Sequence, residues 1–278
     1  MTPPAASGAS PRVVVVVQAR TSSTRLPGKV LMPLAGAPSI VRMMQRVQRV
    51  QRADLRLVAT STDPSDDALA ALCAEAGVPC VRGSLDDVLG RFVSAVPDSA
   101  EVVVRLTGDC PLIDPAIIDH HIERFVAEQP LAGYVTNAVR RTMPDGLDVE
   151  VVQPELLRRA HREATDRFDR EHVLPWVRRH ATTAHIAWAT DLSAIRWTLD
   201  TPRDYEVISA IYDALYAEDP DFDTAAILRL LVRRPELLLI AGQDALDAAD
   251  RTSWIQRIEL HLQTPPPVPL QPRVPELP

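Results

Sequence analysis

No segment says more about the architecture of this chain than VVVVVQARTSSTRLPGK, residues 13–29. Its first half, Val13–Val17 with Gln18, is an unbroken β-branched run, the mark of a parallel strand buried on both faces. Its second half turns at once to small hydroxyl and cationic side chains and closes on Pro27-Gly28-Lys29. Open α/β sheets bind ligands in this position, just outside the carboxyl ends of their strands. Arg20, Arg25 and Lys29 place cations in the loop, and Ser22, Ser23 and Thr24 add small donors. A triphosphate needs such cations, with backbone N–H groups able to approach closely. Lys29 is the only lysine in the chain, which points to a compact ammonium where a guanidinium would not serve. Read alone, the same residues also describe an ordinary solvated basic loop.

Outward from this segment, strand and helix alternate. Ser39 opens a helix with apolar residues at Ile40, Val41, Met43, Met44, Val47 and Val50, a helical spacing. Strands are expected at Leu55–Thr60, Val78–Val81 and Glu101–Thr107. Helices are expected from the Asp63–Asp67 turn to about Gly77, and over Asp86–Val96 and Pro115–Glu128. The fold class is therefore α/β, a mostly parallel central sheet sandwiched by helices. The rhythm then changes: Tyr134–Ala138 and Leu147–Val152 are short strands lying close together, as in a small antiparallel insertion spanning about residues 134–190. Helices are expected at Pro154–Arg162, Arg170–Arg179, Pro202–Tyr216 and Thr224–Arg233, and strands at His185–Ala189 and Ile195–Leu199. One domain is expected over residues 12–240, after a disordered N-terminus of residues 1–11. Residues 241–278 form a C-terminal extension whose last fourteen residues hold seven prolines, a composition that favours an extended tail.

Composition excludes several classes. A net charge of −7 argues against a nucleic-acid footprint, which must be basic. Cys73, Cys80 and Cys110 have neither a CxxC pair nor zinc spacing, as expected of reduced thiols in the cytoplasm. Residues 1–10 lack the basic start and apolar core of a signal peptide. No apolar run is long enough to span a bilayer, so no membrane partner is expected. There is no GxG, no complete P-loop, no HExxH and no GxSxG. Asp219, Asp221 and Asp223 alternate like the start of a calcium loop. Thr224 and Leu230, however, stand where that loop needs glycine and glutamate.

Two acidic motifs remain. Asp109, in Arg105-Leu-Thr-Gly-Asp-Cys-Pro-Leu112, follows a strand at the carboxyl edge, where a carboxylate suits Mg²⁺. Taken alone, it is equally a turn aspartate capping the next element. Asp200, in Leu199-Asp-Thr-Pro202, also follows an expected strand, but an aspartate before a proline-led helix is a common N-cap.

Together the three segments resemble the cytidylyltransferases that make CMP-activated sugar acids. Ser23-Thr-Arg-Leu-Pro-Gly-Lys29 is similar to the nucleotide loop of CMP-Kdo synthetases, Gly108-Asp-x-Pro-Leu112 to their first metal motif, and Leu199-Asp-Thr-Pro202 to their second. The resemblance is strongest to the branch named after the spore coat polysaccharide biosynthesis protein. That branch has Gly-Asp-Cys-Pro-Leu-Ile-Asp, Asp-Gly-Leu-Asp-Val-Glu and Arg-Glu-His, here at 108–114, 145–150 and 170–172. Two departures from the Kdo enzymes stand out: Cys110 replaces a glutamate, and Arg82–Arg91 replaces a Ser-Gly-Thr-Asp-Arg segment.

The resemblance implies a Rossmann-like nucleotidyltransferase fold, CTP as donor, a small anionic sugar-like acceptor, Mg²⁺ as cofactor and a homodimer. It implies catalytic roles for Arg20, Lys29, Asp109 and Asp200, with Mg²⁺ on the two aspartates. Nucleotide contacts are implied for Gln18, Ala19, Arg20, Arg25, Lys29, Ser84, Arg91 and Thr107. Acceptor contacts are implied for Asn137, Asp148, Glu150, Glu171 and His172. If Leu147–Val152 is a strand, Asp148 and Glu150 share one face of it, which is either an outward polar face or a pocket wall. Two other functions remain open at this stage. One is a metal-dependent glycosyltransferase using a nucleotide sugar, whose DxD signature here falls only in the 219–223 turn. The other is a non-catalytic nucleotide-binding homologue.

Overall fold

The computed structural model describes residues 12–243 and 246–264; the expected disordered N-terminus and proline-rich tail lie outside the described residues. In chain order the strands are β1 (Val13–Gln18), β2 (Pro33–Leu34), β3 (Ala37–Pro38), β4 (Leu55–Ser61) and β5 (Cys80–Gly83), followed by β6 (Val102–Thr107), β7 (Tyr134–Thr136), β8 (Glu150–Val152) and β9 (Thr183–His185). The helices are α1 (Ser39–Gln48), α2 (Asp67–Glu75), α3 (Val88–Ser94), α4 (Pro115–Glu128) and α5 (Pro154–Glu163), then α6 (Arg167–His172), α7 (Pro175–His180), α8 (Pro202–Leu215), α9 (Thr224–Arg233) and α10 (Ala248–Gln263).

Seven strands form one sheet in the order β5-β4-β1-β6-β8-β7-β9, and β2 pairs with β3 in a separate hairpin. The β1, β4, β5 and β6 pairings are parallel, as is β7 with β9. Only β8 runs against its neighbours, β6 and β7. The mostly parallel sheet thus carries its antiparallel element within itself.

The valine run behaves as its composition requires. Val13, Val15 and Val17 belong to a core built with α1, α2, α4, α8 and α9. Val14 and Val16 face the other way, into a core with α3, α5 and α7. Alternate side chains on one central strand therefore serve two apolar layers.

Four expected elements differ, the simplest being the strand expected over His185–Ala189, which lies earlier, at Thr183–His185. The single helix over 170–179 is two, α6 and α7, separated where Val173 takes φ 70°. Pro175 then opens the second helix at a position where its missing N–H costs nothing. The segment 195–199 is not a strand: Arg196, Trp197 and Leu199 donate to Leu239, Asp145 and Asp109 respectively. Three separate acceptors cannot make a ladder. The strand expected over 147–152 begins only at Glu150, so Asp148 precedes it and the argument that both carboxylates share a strand face fails.

Candidate functional site

The parallel strands β1 and β6 end side by side at Gln18 and Thr107, and the loops that follow form one cleft. The first loop is pinned at its root. The Thr21 amide donates to the Asp66 carboxylate at 2.7 Å and the Thr21 hydroxyl at 2.8 Å, and Asp66 also accepts from Ser61. Burial would raise the Asp66 pKa, but these hydrogen bonds outweigh it and hold the carboxyl below its usual range. The far end of the loop returns, with Gly28 N donating to Thr21 O at 2.9 Å. Gly28 has φ 72°, a left-handed conformation that glycine adopts without strain.

The second loop approaches the first closely: Gly108 N donates to Gln18 O at 2.8 Å. A Cβ at Gly108 would lie 2.7 Å from Ala19 Cβ, so only glycine fits. The third segment is tied to the second by Leu199 N, which donates to Asp109 O at 2.7 Å.

These ties bring Lys29, Asp109 and Asp200 together. Lys29 Nζ lies 2.8 Å from Asp109 Oδ2 and 2.8 Å from Asp200 Oδ1, and Arg25 pairs with the other oxygen of Asp200 at 2.8 Å. Burial would lower the Lys29 pKa, but the two carboxylates outweigh it and raise it. At Asp109 burial pushes upward, and the Lys29 ammonium overcomes it to leave the pKa lowered.

Neither aspartate serves as a helix cap. Asp114 caps α4, and Thr201 caps α8 in a capping box with Asp204. Asp204 also accepts from the Asp200 amide at 3.0 Å and pairs with Arg196 at 2.8 Å. The backbone at Asp200 is therefore held while its side chain, free of capping, faces Lys29 and Arg25.

The cleft has a volume of about 350 Å³, within the range of small-molecule sites, and its walls include Gln18, Ala19, Arg20, Arg25, Lys29, Thr107, Asp109, His172 and Asp200. Those nine expected residues thus converge. Glu171 instead lines an adjoining cavity of about 550 Å³ that shares Arg20 with the cleft and is walled by Leu85–Val88, Arg167 and Arg170.

Ser84 and Arg91 are not among the residues lining either cavity. The Ser84 hydroxyl accepts from Asp87 N at 3.0 Å, and the Ser84 carbonyl accepts from Arg91 at 2.7 Å. Arg91 is buried beneath the β5–α3 turn. Asn137 is buried and braces the backbone of the insertion, giving to Leu147 O at 2.7 Å and accepting from Val149 N at 2.8 Å. Glu150 is buried and bonded to Arg105, Arg178 and Tyr134, so it stands behind the cleft wall. Asp148 pairs with Arg141. The carboxylates at 219–223 lie away from the cleft, Asp221 on Arg49 and Asp223 capping α9.

The sequence reading missed two residues. Arg105 lines the cleft, with Nη2 3.2 Å from Gln18 Oε1 and Nη1 on Glu150. Its signal was a lone charge inside the apolar strand Val102–Thr107. Asp66, which anchors the loop after β1, looked like one acid among several in a helix-starting turn.

The fold and its carboxyl-edge cleft define an α/β nucleotidyltransferase. The chain belongs to the cytidylyltransferase family, whose model matches residues 14–231. It is 34% identical over 235 residues to the spore coat polysaccharide biosynthesis protein SpsF of Bacillus subtilis, covering 81% of this chain and 95% of that one. It is 39% identical over 127 residues to the 3-deoxy-manno-octulosonate cytidylyltransferase of Chlorobaculum parvum, covering 45% and 50%. Among solved structures, a cytidylyltransferase from Leptospira borgpetersenii superposes with a TM-score of 0.79 at 28% identity, covering 85% of this chain and 99% of that one.

Proposed function

We propose that this protein transfers CMP from CTP to a hydroxyl of a sugar acid or a related small anion. Three further parts of this reading are proposals of the same kind: that the product supplies surface polysaccharide synthesis, that the enzyme works in the cytoplasm, and that it is a homodimer. The observation that carries the reading is the single Lys29 ammonium 2.8 Å from both Asp109 and Asp200. A cation already sits between two hard oxygen donors in a cleft walled by arginines.

That donor set fits Mg²⁺, which takes one or two carboxylates and completes its shell with phosphate oxygens and water. Among the described residues no cluster of three or more His, Cys, Asp or Glu side chains that could hold a metal exists. Asp109 and Asp200 would hold the ion. When bound, it would offset charge on the phosphates and acidify the attacking hydroxyl.

The chain's own groups do the rest. Lys29, Arg25 and Arg20 gather the triphosphate and offset charge on the leaving group. Gly108 and Ala19 bring two backbones close to the phosphates. The nucleoside extends past Arg20 toward the Leu85–Val88 cavity, near Ser84. The acceptor lies on the Arg105 and His172 side. The acceptor oxygen bonds to the α-phosphorus, the bond from that phosphorus to the bridging oxygen breaks, pyrophosphate leaves, and the hydroxyl proton passes to solvent.

The test is pyrophosphate release measured across CTP, UTP, ATP and dTTP with a panel of sugar acids. CTP with one or a few acids should stand clear of the rest. Equal or better use of another triphosphate overturns the cytidylyl reading, and no release with any pair overturns the transfer itself.

A further inference from the structure

Away from the catalytic cleft, a cavity of about 210 Å³ between α1 and α8 is walled by Arg42, Arg46, Arg49, Tyr212, Tyr216 and Asp221, among others. The three arginines recur every three or four residues along α1 and its C-cap, Arg49, so they share one face and repel one another. Two are partly answered. Arg42 gives to Leu34 O at 3.0 Å and to the Tyr216 hydroxyl, whose ring it also covers. Arg49 gives to Asp221 O at 2.7 Å.

Arg46 is different. It is only 3% exposed, its Nε gives to Ile113 O at 2.7 Å, and its guanidinium lies over the Phe222 ring. Nη1 and Nη2 are buried with no hydrogen-bond partner. The neighbouring carboxylates are engaged elsewhere: Asp114 accepts from Thr224 and Ala116, and Asp221 pairs with Arg49. Burial lowers the Arg46 pKa and its acidic neighbours do not restore it. Buried charge left unpaired is unfavourable, and an oxyanion is what guanidinium donors match in geometry.

We propose that this cavity binds a small tetrahedral oxyanion of the inorganic phosphate class. Arg46 and Arg49 are its cations, and the Tyr216 hydroxyl, which accepts from Arg42, still has its proton to donate. The site is tied to the catalytic loop, because Arg46 holds Ile113 O and Tyr212 holds Pro111 O at 2.7 Å. Both carbonyls belong to the turn that follows Asp109.

The test is calorimetric titration of inorganic phosphate into the full chain, with the catalytic cleft saturated by CTP and no acceptor present. One phosphate per chain should still bind. Arg46→Met should weaken that binding at least about tenfold, and Arg49→Gln, at a partly exposed position, by about threefold or more. Absence of phosphate binding in the CTP-saturated wild type overturns the proposal. So does unchanged affinity in a folded Arg46→Met, or in Arg49→Gln should the first variant not fold. Parallel titration with pyrophosphate separates a site for one phosphate group from one for the reaction product: displacement of bound phosphate at equal or lower concentration would overturn the assignment to a single phosphate group.

Discussion

Lys29 illustrates how much depends on one atom. Its ammonium bridges Asp109 and Asp200 at 2.8 Å each, offsetting the repulsion between two carboxylates that face each other across the cleft. Asp109→Asn or Asp200→Asn should lower turnover by at least about 10²-fold while the protein stays folded. Retention of more than about a tenth of wild-type activity at saturating Mg²⁺ would exclude that residue as an essential ligand, since tenfold is only ~1.4 kcal/mol of barrier. Lys29→Met should act in two directions at once. Activity should fall, and Mn²⁺ followed by electron paramagnetic resonance without nucleotide should bind more tightly than to the wild type. Unchanged Mn²⁺ affinity would mean the ammonium does not occupy the metal's place. Asp148 makes the pH case. Burial outweighs Arg141 and lifts its carboxyl to about 6, against about 3.9 in an unfolded chain. Between those values the folded protein holds the proton more readily than the unfolded one, so this residue favours folding at low pH and opposes it as pH rises through 6. Asp148→Asn should therefore raise the melting temperature at pH 7–8 and remove a decline with rising pH, so that the change of melting temperature from about pH 4 to 6 is more positive than in the wild type. A more negative change in the variant would refute that assignment.

At the scale of elements, the cleft exists because three chain segments are tied at their backbones. Gly108 N reaches Gln18 O, and Leu199 N reaches Asp109 O, so β1, β6 and the start of α8 hold one another in register. Gly108→Ala drives a methyl group to 2.7 Å from Ala19 Cβ. Such overpacking typically costs about 1–3 kcal/mol, and here it pushes the loops after β1 and β6 apart. The expected result is a modest fall in melting temperature with a much larger loss of kcat/KM for CTP. Wild-type kinetics in Gly108→Ala would show that the loops tolerate separation. The α8 start works in the same manner. Its cap is Thr201 with Asp204, and the division of labour leaves Asp200 to face Lys29.

For the whole molecule, the C-terminal extension divides into two parts with different physics. The segment after Thr264 is rich in proline and lies outside the described residues. Helix α10 instead packs Ile258 fully out of solvent and sets His261 against Trp188, with ring centroids 4.0 Å apart. Removal of Pro265–Pro278 should leave melting temperature and activity nearly unchanged. Truncation after Gln243, which also removes α10, should lower the melting temperature by several degrees, because a buried aliphatic side chain is worth about 1.5–3 kcal/mol. Equal effects of the two truncations, in either direction, would contradict this division.

Local pattern carried a large part of this protein. A valine run reads as a doubly buried strand wherever it stands, because every second side chain must find an apolar layer. Pro115–Glu128 and Thr224–Arg233 are helices as expected, and the loop motif at Gly108 put Asp109 just past the end of a strand, whereas the segment before Asp200 is not a strand. Legibility failed where a residue's partner is distant in the chain. Arg105 could be seen as a charge in an apolar strand, but nothing local says that Glu150 holds it in the cleft wall. Asn137, Glu150 and Arg91 have the polar chemistry of ligand contacts, yet folding engages them with backbone and ion pairs and withdraws them from the surface. Segment 195–199 has a strand's composition, but its amides bond to three separate partners. Hydrophobic periodicity and turn chemistry act within a few residues, so they are written in the sequence. Which polar group meets which is set by contacts between segments many residues apart, and those come into being only when the sheet has closed around them.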